Sequence, residues 1–270
     1  MRIVSLACSN TEIVHALGCG HLLVGVDSHS DHPAELLERL PRVGPDLEID
    51  LDRVAELEPD LVLASLTVPG HETVVEGLEA RGIPHLTLAP LSLEDVYRNV
   101  EEVAGRLGVP ERGRRLAEEM RAELGADTLT SALDDTDPQR VSVLVQWWPR
   151  PVIAPAGKSW VDPLIRRAGG RNPLSSFQQP SRRLEDAEVV ELDPDVIVLS
   201  WCGVDPAKYR PDVVLGNPAF REVSAIRTGR VHCIPEAFLG RPGPRLVEGL
   251  RALRGVLDRD AHPEPGDPRC

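Results

Sequence analysis

Short apolar runs recur along the chain, separated by stretches in which apolar residues return every three or four positions. Ile3–Ala7, Leu22–Val26, Leu61–Ala64 and Pro84–Leu88 are too short for helices and show little polar alternation. That pattern predicts strands buried on both faces. Ser9-Asn10-Thr11-Glu12 has the S-x-x-E spacing of a capping box, which predicts a helix to about Leu17, stopped by Gly18 and Gly20. Leu51–Leu57 and Glu72–Arg81 predict two more helices, the second ended by Gly82. Strands alternating with helices of this length predict a doubly wound parallel sheet.

The middle of the chain reads as helix. Ser92-Leu93-Glu94-Asp95 caps a helix that reaches Leu107, and Gly108-Val109-Pro110 interrupts it. The stretch from Glu111 to about Leu124, with room to extend to Leu133, is rich in strong helix formers and ends at a polar break over 134–138. A helix there, not a Gly/Ser linker, is expected to join two lobes. The second lobe opens with a strand at Arg140–Val145 and a helix at Ser159–Arg167, stopped by Gly169-Gly170. A helix and strand at 185–200, a short helix at Asn217–Val223, a strand at Val231–Ile234 and a closing helix at Arg245–Leu257 complete it. The expected layout is an N-terminal lobe over 1–108, a connecting helix over 109–137, a C-terminal lobe over 138–260 and a proline-rich, disordered tail over 261–270.

An internal repeat supports two lobes of like topology. Residues 54–65 read VAELEPDLVLAS and residues 189–200 read VVELDPDVIVLS, 135 positions apart, with six of twelve positions identical. Each copy reads as a helix end, a Pro-Asp turn and a buried strand. The two strands are therefore expected at equivalent central places in two parallel sheets.

Charge narrows the function. With 43 acidic against 30 basic residues and a net charge of −13, the chain is a poor nucleic-acid binder. No apolar run is long enough to span a membrane. The opening MRIVSLA enters a predicted strand at once, without a signal-peptide pattern, which predicts a cytoplasmic protein if the chain is complete. The five cysteines, Cys8, Cys19, Cys202, Cys233 and Cys270, are scattered, with no CxxC, and are expected to be free thiols.

P-loop, GxSxG and HExxH motifs are absent from the sequence, and no nucleophile is paired with a base by spacing. The richest polar cluster, Asp27-Ser28-His29-Ser30-Asp31-His32-Pro33, follows the second predicted strand, at the carboxyl edge where open α/β sheets bind ligands. Three readings stand. The cluster holds a transition metal with help from His71 or His85; its Asp and Ser side chains merely satisfy the loop backbone; or one imidazole faces a ligand, or a metal that the ligand carries. Aromatic residues are the second signal. Only Tyr97 of nine lies before residue 140, and Trp147, Trp148, Trp201 and Phe238 each follow a predicted strand. Rings at strand ends suit a large, flat, partly apolar ligand, although any one of them also suits a core. Arg241-Pro242-Gly243-Pro244-Arg245 is a rigid turn whose arginines suit a ligand's amide or phosphate, or a structural ion pair.

The RIVSLACSNTEIVHALG opening, VGVDSHSDHP, the EPDLVLA strand and the second DPDVIVLS strand together resemble the substrate-binding proteins of cobalamin and iron-siderophore ABC importers, over residues 2 to about 257. WWPRPVIAPAGKSWVDPLIRRAGGRNPL and RPGPRLVEGLRAL look most like the cobalamin-binding members. The resemblance implies an α/β fold of two Rossmann-like lobes with parallel sheets, joined by one long backbone helix, and a corrinoid held in the cleft between them. It implies no catalysis, no resident cofactor, no metal of the protein's own and a monomer that works with an ABC permease. His29 and His32 stand where the family carries aromatic rings, and Ser65 or Leu66 stands where a Trp is expected. Trp147, Trp148, Trp201, Phe238 and Arg241 complete the expected ligand-binding set. Glu72 matches one carboxylate that docks on the permease, and Glu236 lies close to the second. An iron-siderophore or haem binder is the alternative within the class. A metal- or tetrapyrrole-handling enzyme or chaperone is the alternative outside it.

Overall fold

Ile3–Ser5 (β1) is fully buried on both faces, as its unbroken apolar pattern requires. It sits inside a four-stranded parallel sheet in the order β2-β1-β3-β4, with Leu23–Val26 (β2), Leu61–Ser65 (β3) and His85–Leu88 (β4). The computed structural model describes residues 1–125 and 140–261. The polar break at 134–138, any helix toward Leu133, the 137/138 boundary and the tail beyond Ala261 lie outside the described residues.

The described chain forms two compact units. One comprises Met1–Pro90 and Glu94–Met120, and the other Leu91–Leu93 and the chain from Arg121 onward. In the first, helices Cys8–Ala16, Leu51–Glu56 and His71–Ala80 alternate with the strands. Val4, Leu6, Val54, Val62, Ala64 and Leu78 form its core. Helices Leu93–Arg106 and Pro110–Leu124 follow. The second unit holds a parallel sheet in the order β10-β9-β5, made of Val143–Gln146 (β5), Val196–Leu199 (β9) and Val231–Cys233 (β10). It closes with helix Leu246–Ala261.

The repeat proves structural. β3 lies between β1 and β4, and β9 lies between β5 and β10. Leu61 pairs with Ile3 and its counterpart Val196 with Val143, while Val62 pairs with His85 and its counterpart Ile197 with Val231. The Pro-Asp turn is equivalent in detail. Among the described residues, Glu58 and Asp193 are the non-glycine residues with left-handed backbone, at φ 46° and 38°, and each lets the helix end before a proline. Asp60 Oδ2 accepts the Arg2 N–H at 2.6 Å, and Asp195 Oδ2 accepts the Ser142 N–H at 2.7 Å. One carboxylate thus anchors the first strand in both units.

Four local expectations change. The Ser9–Glu12 box does not cap: the helix begins at Cys8 behind an extended Ala7, so Ser9 already lies inside the first turn. These polar side chains instead tie the helix to the sheet, Asn10 Nδ2 donating to Ala64 O at 3.1 Å and Thr11 Oγ1 to Ser5 Oγ at 2.8 Å. The second unit is not purely parallel. Pro149-Arg150-Pro151 turns the chain back, and Trp148–Pro149 (β6), Val152–Pro155 (β7) and Ser181–Leu184 (β8) form a small antiparallel sheet. The helix expected at Asn217–Val223 is a 3-10 turn at Pro218–Phe220, followed by a short helix at Ser224–Arg227. Cys8, Cys19 and Cys202 carry no disulfide, whereas Cys233 is disulfide-bonded, so the expectation of free thiols does not hold throughout.

Candidate functional site

In the first unit the polar loop after β2 is built around Asp27, which is wholly buried. Its Oδ1 accepts the His29 and Ser30 backbone N–H groups at 2.8 and 3.0 Å, and its Oδ2 accepts the Ser30 hydroxyl. Arg42 Nη1 donates to the carbonyls of Asp27 and Ser30, at 3.0 and 2.6 Å. Asp27 and Ser30 therefore shape the loop, as Asx-type turns do, and are not offered to a ligand. The His29 side chain is 41% exposed, with Nε2 3.7 Å from Asp46 Oδ1. The other oxygen of Asp46 lies 3.7 Å from Nε2 of the buried His71. The His71 interaction, first, and the nearby imidazoles hold the Asp46 carboxyl below its usual range, against the opposing effect of partial burial. His32 is exposed, its ring edge-on to His15 at 5.8 Å. His85 Nδ1 sits 3.0 Å from Ile83 O, engaged with its own strand entry. Among the described residues, no three His, Cys, Asp or Glu side chains are placed to hold a metal ion.

Two further positions end β3. Ser65 Oγ is 2.8 Å from Thr67 Oγ1 and accepts the Thr67 N–H, while Leu66 is 37% exposed. Glu72 lies at the start of helix His71–Ala80, exposed, and its Oε2 accepts the Gly70 N–H at 2.8 Å. Backbone amides there hold its carboxyl below the usual range.

The second unit sorts its rings by burial. Trp148 is 42% exposed on β6. Trp147 is half-buried and leans on Trp160, centroids 5.7 Å apart. Trp160 itself donates from Nε1 to Leu239 O at 2.8 Å. Phe238 is half-buried beneath the Arg245 guanidinium, which lies 4.8 Å from the ring centre. Trp201 departs from the expectation. It is only 5% exposed and packs in the core with Leu199, Tyr209 and Phe220, its ring 5.5 Å from that of Tyr209. The Tyr209 hydroxyl donates to Trp201 O at 3.3 Å and accepts the Glu236 N–H at 3.0 Å; burial pushes its pKa upward. Trp201 is thus a packing residue first.

Arg241 and Glu236 depart as well. Arg241 Nε donates to Glu236 Oε2 at 3.0 Å, with both side chains largely buried. The arginine expected at a ligand and the glutamate expected at a permease engage each other, because the tight turn at Gly240 brings them together. Asp46 and Gln146 were not singled out by sequence reasoning. Gln146 ends β5 fully buried, and neither atom of its amide has a hydrogen-bond partner. Its one sequence signal is a polar end to the apolar run VSVLVQ.

The periplasmic binding protein family profile matches residues 3–237. The uncharacterized ABC transporter substrate-binding lipoprotein YvrC of Bacillus subtilis is 29% identical over 266 residues, covering 97% of this chain and 82% of its own. A vitamin B12-binding protein of Vibrio campbellii is 34% identical over 222 residues, 80% of this chain and 78% of its own. Among solved structures, the periplasmic haem-binding protein RhuT of Roseiflexus sp. RS-1, in apo form, superposes with a TM-score of 0.79 at 29% identity, covering 97% of this chain and 99% of that one. A lipoprotein and a periplasmic protein among such relatives overturn the expectation of a cytoplasmic protein. The profile match over most of the chain, with the two-unit α/β architecture beneath it, establishes that this chain belongs to the periplasmic binding protein family, as a solute-binding protein and not an enzyme.

Proposed function

We propose that the protein binds a corrinoid as the solute-binding component of an ABC-type importer. The observation that carries this reading is the chemistry left open at the sheet ends: the indole of Trp148 and the imidazole of His29, each about two-fifths exposed. An indole face suits a wide, partly apolar ring system, and a neutral imidazole suits the axial position of its metal. The 34% identity to a vitamin B12-binding protein supports cobalt in that ring system. Leu66 and Ser65 in the first unit, and Trp147 and Phe238 in the second, are the proposed supporting contacts. His32, exposed on the same loop as His29, is the alternative axial imidazole. Glu72 is the proposed permease contact, since its carboxylate is exposed and fixed at a helix start. Haem is the second reading, favoured by the haem-binding neighbour at 29% identity, because iron accepts the same imidazole.

Calorimetric titration with cobalamin, haem and a ferric hydroxamate, alongside visible absorbance, tests the reading. One-to-one cobalamin binding with a perturbed corrin spectrum supports it. Binding of haem or the hydroxamate with no response to cobalamin contradicts it.

A further inference from the structure

His29, Asp46 and His71 come from three separate segments: the loop after β2, the turn before helix Leu51–Glu56, and the first residue of helix His71–Ala80. The Asp46 carboxylate stands between the two imidazoles, one oxygen 3.7 Å from His29 Nε2 and the other 3.7 Å from His71 Nε2. Burial falls along the array, from 5% side-chain exposure at His71 to 37% at Asp46 and 41% at His29. Neither ring nitrogen of His71 has a hydrogen-bond partner, so Asp46 is the charged acceptor nearest a buried ring that otherwise goes unanswered. The loop after β2 and the turn that carries Asp46 are tied together independently, since Ser28 N donates to Gly44 O at 2.8 Å and Arg42 holds the loop carbonyls.

We infer that Asp46 and His71 are positioning residues for His29. The carboxylate holds the Nε2 edge of the His29 ring, which leaves Nδ1 to meet the ligand's metal, and the buried His71 fixes the carboxylate from behind. This deepens the corrinoid reading and rests on it. A carboxylate behind an imidazole orients the ring, selects its tautomer and raises its basicity toward a metal. Glu72 acts electrostatically with His71, and Arg42 is occupied by the carbonyls of Asp27 and Ser30.

The test has two readouts on the full chain. The first needs no ligand: the Asp46 carboxyl is titrated by carbon-13 NMR in the wild type, in His71→Gln and in His29→Ala. The midpoint is expected to rise in both variants, more for His71→Gln. An unchanged midpoint in His29→Ala, at an exposed position that leaves the fold intact, overturns the array. The second is cobalamin affinity from pH 5 to 8 in wild type and Asp46→Asn. The variant is expected to bind several-fold more weakly at pH 7 and to move the acid limb of the profile. A uniform loss at every pH, with the profile unmoved, assigns Asp46 a structural role only and overturns the positioning claim. A wild type that ignores cobalamin at every pH refutes the corrinoid reading and the ligand step with it, while the carboxyl titration still decides whether the three residues are coupled.

Discussion

The two units share a scaffold and differ at its edge. In both, a helix ends on a left-handed residue, a Pro-Asp turn anchors the first strand, and the repeat strand takes the same register between its neighbours. Past the strand ends the likeness stops. The first unit presents histidines and carboxylates, and its one aromatic residue outside the imidazoles, Tyr97, is buried in helix Leu93–Arg106. The second presents indole and phenyl rings. Backbone hydrogen bonds and buried Val, Ile and Leu keep the scaffold, and those constraints end where the strands end. Chemistry there is free to diverge, which is why sites belong to loops on rigid elements.

Within the second unit the sharpest contrast is Trp201 against Trp148. Trp201→Ala empties a core site and is expected to cost about 3–5 kcal/mol in chemical denaturation. Trp148→Ala is expected to cost about 0.5 kcal/mol or less, yet to weaken ligand binding more than tenfold through about 1.5–3 kcal/mol of lost burial. Equal stability losses at the two positions contradict the division between packing ring and ligand ring.

Substituting the two turn carboxylates probes the shared scaffold. Asp195→Ala and Asp60→Ala each remove a bond to a backbone N–H, with an expected loss of about 1–2 kcal/mol at Asp195. The loss at Asp60, which is more than half exposed and shares its oxygen with the N-terminal amine, is expected to be smaller. A larger loss at Asp60 breaks the equivalence.

The first unit's carboxylate array has a pH signature. Asp46 is held below its unfolded value of 3.8, so its contribution is present above that pH and disappears as pH falls through the folded value. Asp46→Asn is therefore expected to lower stability at pH 6 and to be neutral at pH 2. With the carboxylate more than a third exposed, the effect is expected below about 1 kcal/mol. A deficit that persists at pH 2 assigns it to shape, not charge.

The smallest effect expected is a gain. Glu58→Gly relieves left-handed backbone and is expected to stabilise by a few tenths to about 1 kcal/mol in thermal unfolding, whereas Asp193→Gly relieves the same conformation but gives up the carboxylate that accepts the Ser224 N–H and hydroxyl at 2.7 and 3.0 Å, and is expected to lose stability. A gain at both contradicts that difference between the two turns.

What the sequence disclosed follows from how local the physics is. Helix end, Pro-Asp turn and buried strand are written in twelve consecutive residues, so the repeat and both parallel sheets were legible. The antiparallel sheet was not, because β6 is two residues long and β8 reads SRRL, with no apolar period to detect. Ser9–Glu12 misled because a capping pattern carries no mark of where the helix starts. His29 stood out in a dense polar loop. Asp46, one of four acids between Pro45 and Arg53, takes its meaning from His29 and His71, 17 and 25 residues away in sequence. Burial separated Trp148 from Trp201, and Glu236 from Glu72, and burial is a property of the folded chain.

Cobalamin titration of the full chain by calorimetry, followed by the same titration of Trp148→Ala and His29→Ala, tests the central claim most directly. The account predicts a one-to-one complex in the wild type, more than tenfold weaker in Trp148→Ala and stripped of its pH dependence in His29→Ala. A wild-type affinity matched by both variants, or a chain that binds haem and leaves cobalamin untouched, contradicts it.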